Sequence, residues 1–253
     1  MSVLGAPSPL PQAPPAPDHA APQLGRPLVS VVVPTFRESA NIQELVERVE
    51  RALPSPELII VDDNSNDGTE QVVAAIGRPW VRLHVRRNER GLSSAVIAGC
   101  RLATAPTIVV MDADLSHPPE AIPRMLEALD NGADFVIGSR YVAGGTMDQA
   151  WTVFRRVNSL VATAFARPLT RLADPMSGFF AMRSAAFRQT KDLNPIGYKI
   201  ALEMLVKGPF KAPTEVPIHF ADRKRGESKL SLKEQVRYIR HVLRLYRFKL
   251  IGR

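Results

Sequence analysis

The sequence predicts an α/β domain: a mostly parallel sheet flanked by helices, followed by an amphipathic C-terminal helix. Three observations carry this. Short, β-rich apolar runs alternate with amphipathic segments through the first half of the chain. The runs are apolar throughout rather than at every second residue, as strands covered on both faces are. With 45% hydrophobic residues in 253, there is also enough apolar surface for a large buried core.

In chain order, residues 1–27 are rich in Pro and Ala and lack the basic start and continuous apolar centre of a signal peptide, so they are expected to stay disordered outside the fold. Strands follow at LVSVVV (28–33), ELIIVD (57–62), VRLHV (81–85), TIVVMD (107–112) and DFVIGS (134–139). Helical patterns separate them at 39–53, 67–76, 92–104 and 119–131, opened by Ser39, Asn66 or Asp67, Ser93 and the Pro118-Pro119 pair, all residues that favour a first turn. After Tyr141 the rhythm changes. A long helical stretch is expected over 151–172, then an apolar patch GFFAM (178–182), a helix near 196–207, a strand near 214–220, a polar loop and a final helix. Cys100 is the only cysteine, which excludes an intrachain disulfide and a Cys-rich zinc site.

In an open parallel sheet, ligands bind beyond the carboxyl ends of the strands. Those ends read PTFRE (34–38), DDNSNDGT (62–69), RNERGLSS (87–94), DADLSH (112–117) and GSRY (138–141). Asp, Asn, Ser and Gly make good loops and caps, which explains any one end but explains five poorly. Asp112 and Asp114 emerge from the apolar run VVM, where a carboxylate is costly unless something balances it. One residue apart, they can supply hard oxygen ligands to a divalent cation, Mg²⁺ or Mn²⁺, with a phosphate completing the coordination. No GxxxxGK[ST] or GxGxxG segment cradles phosphate by its backbone.

Together VSVVVPTFRE, IIVDDNSNDGT, ERGLSSAVIAG, MDADLSHPPE, IGSRY, DPMSGFF, NPIGYK and RGESKL resemble the family-two glycosyltransferases of GT-A (Rossmann-like) fold, and within them the polyprenyl (dolichol) phosphate mannose synthases. The resemblance covers residues 28–230. It implies a metal-dependent, inverting transfer of mannose from GDP-mannose to a polyprenyl phosphate, with a UDP-sugar such as UDP-glucose as the alternative donor. By position, Pro34, Phe36 and Glu38 match the segment that holds the donor nucleotide, and Val61 and Asp63 match positions beside its base and ribose. Asp112, Ala113 and Asp114 match the metal and diphosphate site, with Ser116 where some members place Gln. Arg140, Arg155 and Ser159 match residues that receive the lipid phosphate. Arg223 and Lys229 match a loop that closes over the diphosphate, with Lys199 a further candidate there. The implied chemistry needs no base, because a lipid phosphate is already an anion, whereas a hydroxyl acceptor would need one.

The net charge of +8 resides in residues 221–253, which hold eleven Lys/Arg against three Asp/Glu. From Ser231 a helix is expected over 231–253, with Leu232, Val236, Ile239, Leu243, Tyr246 and Leu250 as an apolar stripe and Lys233, Arg237, Arg240, Arg244 and Arg247 beside it. Such a face suits either adsorption to an anionic membrane or packing on the domain with a solvated basic side. No apolar run reaches the roughly 18 residues of a spanning helix. The expected setting is therefore cytoplasmic and peripheral, on the cytoplasmic face of a membrane, by adsorption or through a membrane partner protein. Nucleic acid is not an expected partner, because the tail's aromatics form no stacking platform.

Overall fold

The computed structural model describes residues 27–148, 161–194, 196, 199–222 and 232–251. Five strands lie where the sequence places them: β1 (Val29–Thr35), β2 (Pro56–Asp62), β3 (Val81–Val85), β4 (Thr107–Val110) and β5 (Phe135–Ser139). β1 shows why they form. Val29, Val31 and Val33 enter one core, while Val32 enters the core on the opposite face, so a period of two serves two buried layers. β3 lies at the sheet edge and alternates between half-buried and exposed residues, unlike the uniformly buried β1 and β2.

The seven-stranded sheet has the order β3-β2-β1-β4-β7-β5-β8, where β7 is Phe180–Arg183 and β8 is Pro213–Pro217. All neighbours are parallel except β7, which runs antiparallel to both β4 and β5. The patch expected at GFFAM is thus a strand in the middle of the sheet. Phe179, Phe180, Ala181 and Met182 are wholly buried, so no alternation marks it as a strand in the sequence. The strand expected near 214–220 divides: β8 joins the large sheet, and β9 (His219–Phe220) pairs with β6 (Thr146–Met147) in a separate two-stranded ribbon.

The helices are α1 (Ser39–Ala52), α2 (Thr69–Ile76), α3 (Leu92–Leu102), α4 (Ile122–Asp130), α5 (Ser184–Gln189), α6 (Ile200–Lys207) and α7 (Leu232–Ile251). Two start differently from expectation. α3 begins after Gly91, with Ser93 inside its first turn, and the helix expected from 196 begins at Ile200. The stretch expected to be helical to 172 is helical over 161–166 and then turns at Pro168; residues 149–160 lie outside the described residues. α3 lies so close to the sheet that a Cβ at Gly99 would come within 2.3 Å of Val32 Cγ1.

The last helix packs by a face the apolar stripe does not contain. Tyr238, Val242 and Leu245 are buried against Ala166, Leu169, Met176 and Leu202, and His241 is buried as well. Val236, Ile239, Leu243 and Leu250 of the expected stripe are exposed instead, and Tyr246 is half-buried. Arg237, Arg240 and Arg247 are exposed as well, but Arg244 turns inward and donates from Nη2 to the Asn194 carbonyl at 2.8 Å. Among the described residues, no helix is long and apolar enough to cross a membrane.

Candidate active site

The strand order reverses between β1 and β4, since β2 and β3 extend one way and β4 the other. Such a switch point opens a crevice at the carboxyl ends of the strands. The backbone there is unusual: Arg37, Asn64, Asn66 and Leu115, all in loops after β1, β2 and β4, have φ between 50° and 63°. For a buried leucine this is a strained conformation, and such strain concentrates at functional sites.

After β4 the chain carries Asp112, Ala113 and Asp114. Asp112 is half-buried, whereas Ala113 and Asp114 are buried. Ser116 fixes Asp114: its backbone N–H and its hydroxyl both donate to Oδ1, at 3.1 and 2.6 Å. Ser116 itself is wholly buried. His117, whose role the sequence reading left blank, fixes Asp112, because the Asp112 N–H donates to its Nδ1 at 3.1 Å. Burial lowers the pKa of His117 against the pull of Asp112 and Asp114, so the ring stays neutral with its proton on Nε2. The ring stacks on Phe179 at 5.3 Å and meets Phe220 edge-on at 5.4 Å. The prolines after it begin a 3₁₀ turn, Pro119–Ala121, which Glu120 ties to α1 by accepting two hydrogen bonds from Arg48. Together these fix both acids at the end of β4.

Among the described residues, no group of three or more His, Cys, Asp or Glu forms a complete metal site. The pair does fit a shared divalent cation. Its donors are hard oxygens, and Gly178 keeps the space before Asp112 open, where a Cβ would sit 3.4 Å from Oδ2.

Arg140 lies at the end of β5. Its Nε and Nη2 donate to the two carboxylate oxygens of Asp174 at 2.8 Å each, and its backbone N–H donates to Oδ2 at 3.1 Å. Asp174 is wholly buried, and Glu215 holds its loop by accepting from the N–H groups of Ala173 and Asp174. Burial works against the Arg140 charge, but Asp174 more than offsets it and raises the pKa. The guanidinium also lies over the Phe220 ring at 5.1 Å, so one aromatic floor, Phe179–His117–Phe220, connects Asp112 to Arg140. Lys199 approaches the same region and donates from Nζ to the Met176 carbonyl at 2.8 Å. Burial and the neighbouring Arg140 push its pKa down to about 8.

The other side of the crevice is built from β1, β2 and β3. Phe36 is half-buried under two guanidinia, Arg90 at 4.6 Å and Arg37 at 5.2 Å from the ring centroid. Glu38 accepts from the Asn41 side chain at 2.7 Å. Pro34 and Val61 are buried in strands, so the Val61 side chain packs in the core rather than in the crevice. Asp63 is also buried: Oδ1 accepts from Arg86 Nε at 2.7 Å and from Nη2, and Oδ2 accepts from the Gly91 N–H at 2.8 Å. Asp62 and Asp67 knit the loops together, with Asp67 accepting from the Ser39 N–H and Asp62 holding Ser65, which in turn accepts from the Arg37 N–H. Arg155, Ser159, Arg223 and Lys229 lie outside the described residues. Sequence reasoning missed His117, Asp174, Glu215 and Arg86 as builders of the site. The signal for Asp174 is the apolar run GFFAM that follows it, which forms β7.

A family model described as "Glycosyl transferase family 2" matches residues 30–191. A dolichol-phosphate mannosyltransferase of Mycosarcoma maydis is 45% identical over 236 residues, covering 88% of this chain and 80% of that protein. The dolichol-phosphate mannosyltransferase of Pyrococcus furiosus is 43% identical over 87% of this chain, which spans 64% of its length. The polyprenol monophosphomannose synthase of Mycolicibacterium smegmatis is 37% identical, covering 79% of this chain and 80% of that one. Among solved structures, glucosyl-3-phosphoglycerate synthase from Mycobacterium tuberculosis, in complex with Mn²⁺, UDP-glucose and phosphoglyceric acid, superposes with a TM-score of 0.65 at 20% identity, over 88% of this chain and 79% of that one. That likeness concerns the fold, and it agrees with the GT-A architecture expected from the motifs. The chain is a glycosyltransferase and belongs to glycosyl transferase family 2.

Proposed function

We propose that the chain transfers mannose from GDP-mannose to a polyprenyl (dolichyl) phosphate, giving a polyprenyl-phosphate β-mannose. The observation that carries this reading is the shared aromatic floor, which brings an acid pair suited to a nucleoside diphosphate to the same crevice as a clamped arginine suited to a second phosphate. The similarity to dolichol-phosphate mannosyltransferases at 43–45% identity supports the same acceptor and sugar. Asp112 and Asp114 would hold a divalent cation, Mg²⁺ or Mn²⁺, which when bound supplies positive charge to the leaving diphosphate. Arg140, held by Asp174 through Nε and Nη2, orients the lipid phosphate. Arg155 and Ser159 join it on the acceptor side, and Lys199, Arg223 and Lys229 on the donor side. A lipid phosphate oxygen bonds to the anomeric carbon as the bond to the GDP oxygen breaks, inverting the configuration of the sugar. No proton has to move, so no general base is assigned.

The enzyme works as a peripheral protein on the cytoplasmic face of a membrane. Exposed Val236, Ile239, Leu243 and Leu250 of α7 meet the lipid, with exposed Arg237, Arg240 and Arg247 beside them. The test is a panel of GDP-mannose, GDP-glucose and UDP-glucose with a polyprenyl phosphate and Mg²⁺ or Mn²⁺, following label into the organic phase. GDP-mannose should be the donor, and chelator or Asp112→Ala should abolish transfer. Transfer from UDP-glucose alone, or full activity in excess chelator, refutes the reading.

A further inference from the structure

The seat of Lys199 is built in part by α7. Its Nζ donates to the Met176 carbonyl at 2.8 Å, and Met176 lies in one buried cluster with Tyr238, Val242 and Leu245 of that helix. The Lys199 backbone faces His241, also of α7. Arg244 follows His241 by three residues, so the two lie on one face of the helix. Arg244 meets the chain again five residues before Lys199, where its Nη2 donates to the Asn194 carbonyl at 2.8 Å. The Asn194 N–H donates to Oε1 of Glu203 in α6, also at 2.8 Å, so Asn194 is held from two helices at once. Lys207 closes the tie, donating from Nζ to Glu203 Oε1 and to the carbonyl of Asp192, whose φ is 56°.

Stability alone does not ask for an arginine here. Arg244 Nε is buried without a hydrogen-bond partner among the described residues, a cost that an apolar side chain avoids. The wholly buried Glu203 already has Lys207 at 2.6 Å, whereas Arg244 stands 3.5 Å from it. What Nη2 adds is the hold on Asn194. We infer that Arg244 is a positioning residue for the transfer: by holding the Asn194 carbonyl from α7, it keeps Lys199 where its ammonium meets the diphosphate of the nucleotide sugar. This rests on the proposed donor-side place of Lys199 and deepens it.

The experiment is a double-mutant cycle on the full chain. KM for the nucleotide sugar and KM for polyprenyl phosphate are measured for the wild type, Arg244→Met, Lys199→Met and the double variant, with whichever nucleotide sugar the panel identifies. Met keeps the apolar stem of each side chain and drops its hydrogen-bond donors. Lys199→Met should raise KM for the nucleotide sugar about tenfold, as loss of one hydrogen bond to a charged group predicts. Arg244→Met should raise it by part of that factor, leave KM for polyprenyl phosphate unchanged, and have no further effect once Lys199 is gone, because residues that act as a unit are not additive. Arg244→Lys should restore KM for the nucleotide sugar, since one donor suffices for the Asn194 carbonyl. KM does not depend on the fraction of enzyme folded, so a lowered thermal midpoint does not mimic these results, and Arg244→Gln replaces a Met variant that fails to fold. The same factor for Arg244→Met with and without Lys199, or equal rises in both KM values, overturns this inference alone. An unchanged KM for the nucleotide sugar in Lys199→Met overturns the donor-side place of Lys199, and the role of Arg244 with it.

Discussion

Asp174 offers the sharpest test of how the acceptor side is held. Asp174→Asn keeps the shape of the side chain but removes the charge from a wholly buried position that accepts three hydrogen bonds from Arg140. The Arg140 side chain is only 8% exposed, so solvent compensates little for the lost partner. Breaking one side of such a pair costs about 3–5 kcal/mol, and at about 2–4 °C per kcal/mol for a domain of this size the midpoint should fall by roughly 6–20 °C. In the proposed reaction the same change loosens the guanidinium that orients the lipid phosphate, so the KM for polyprenyl phosphate should rise about tenfold, as loss of one charge-assisted contact predicts. The KM for the nucleotide sugar should hold. Thermal unfolding and steady-state kinetics with each substrate varied read both effects. Adding Arg140→Gln should restore part of the lost stability, because it removes the stranded charge. An unchanged midpoint, or equal changes in the two KM values, refutes the reasoning.

Three further outcomes are expected. Asp63→Asn should lower the midpoint by a comparable amount, since it strands Arg86, whose side chain is 4% exposed; a variant that keeps its midpoint and loses only nucleotide binding would make Asp63 a direct ligand contact instead. Burial lowers the pKa of His241, which faces Glu203 and Lys207 of α6, Arg244 of its own helix and the backbone of Lys199. The unfolded chain therefore takes up a proton near pH 6.5 that the folded chain refuses, and stability present above pH 6.5 is lost as pH falls below it. His117 contributes with the same sign, so thermal melts of His241→Gln should show a weaker but not absent decline between pH 7 and 5, and an unaltered decline counts against His241. Replacing Arg237, Arg240 and Arg247 by Gln should release the protein from anionic vesicles at low salt while leaving GDP binding intact, each cation near the surface being worth about 1 kcal/mol; equal sedimentation of the variant would assign those arginines to a solvated helix face.

The parallel part of the fold was legible because its strands are apolar and their ends polar, and those two facts also put Asp112, Asp114 and Arg140 just beyond strand ends. What escaped notice has a common physical cause. β7 is buried on both faces and only four residues long, so it carries neither alternation nor length to separate it from a loop of apolar residues. Asp174 and Glu215 were hidden with it, because their importance comes from strand neighbours distant in sequence. Motif position likewise gave no sign of the protein partners of Asp63. Its commitment to Arg86 and Gly91 depends on where the end of β3 meets the start of α3, which spacing alone does not encode.

The last helix misleads for the opposite reason: its pattern is too rich. Three-four spacing is satisfied by two apolar sets, Val236-Ile239-Leu243-Leu250 and Tyr238-Val242-Leu245, and periodicity cannot say which one faces the domain. The structure chooses the second, whose tyrosine donates its hydroxyl to the Ala162 carbonyl, while His241 reaches the buried Glu203 cluster. The choice satisfies the Tyr238 hydroxyl, whose acceptor lies on the inside. The first set has no polar atom to satisfy, so exposure costs it only apolar hydration, a cost that contact with a lipid surface removes. Arg244 follows the same rule in reverse, leaving the basic face because the Asn194 carbonyl and Glu203 lie on the inner side. A helix that turns Tyr238, His241 and Arg244 inward while Val236, Ile239, Leu243 and Leu250 stay outward is arranged for a second, apolar contact.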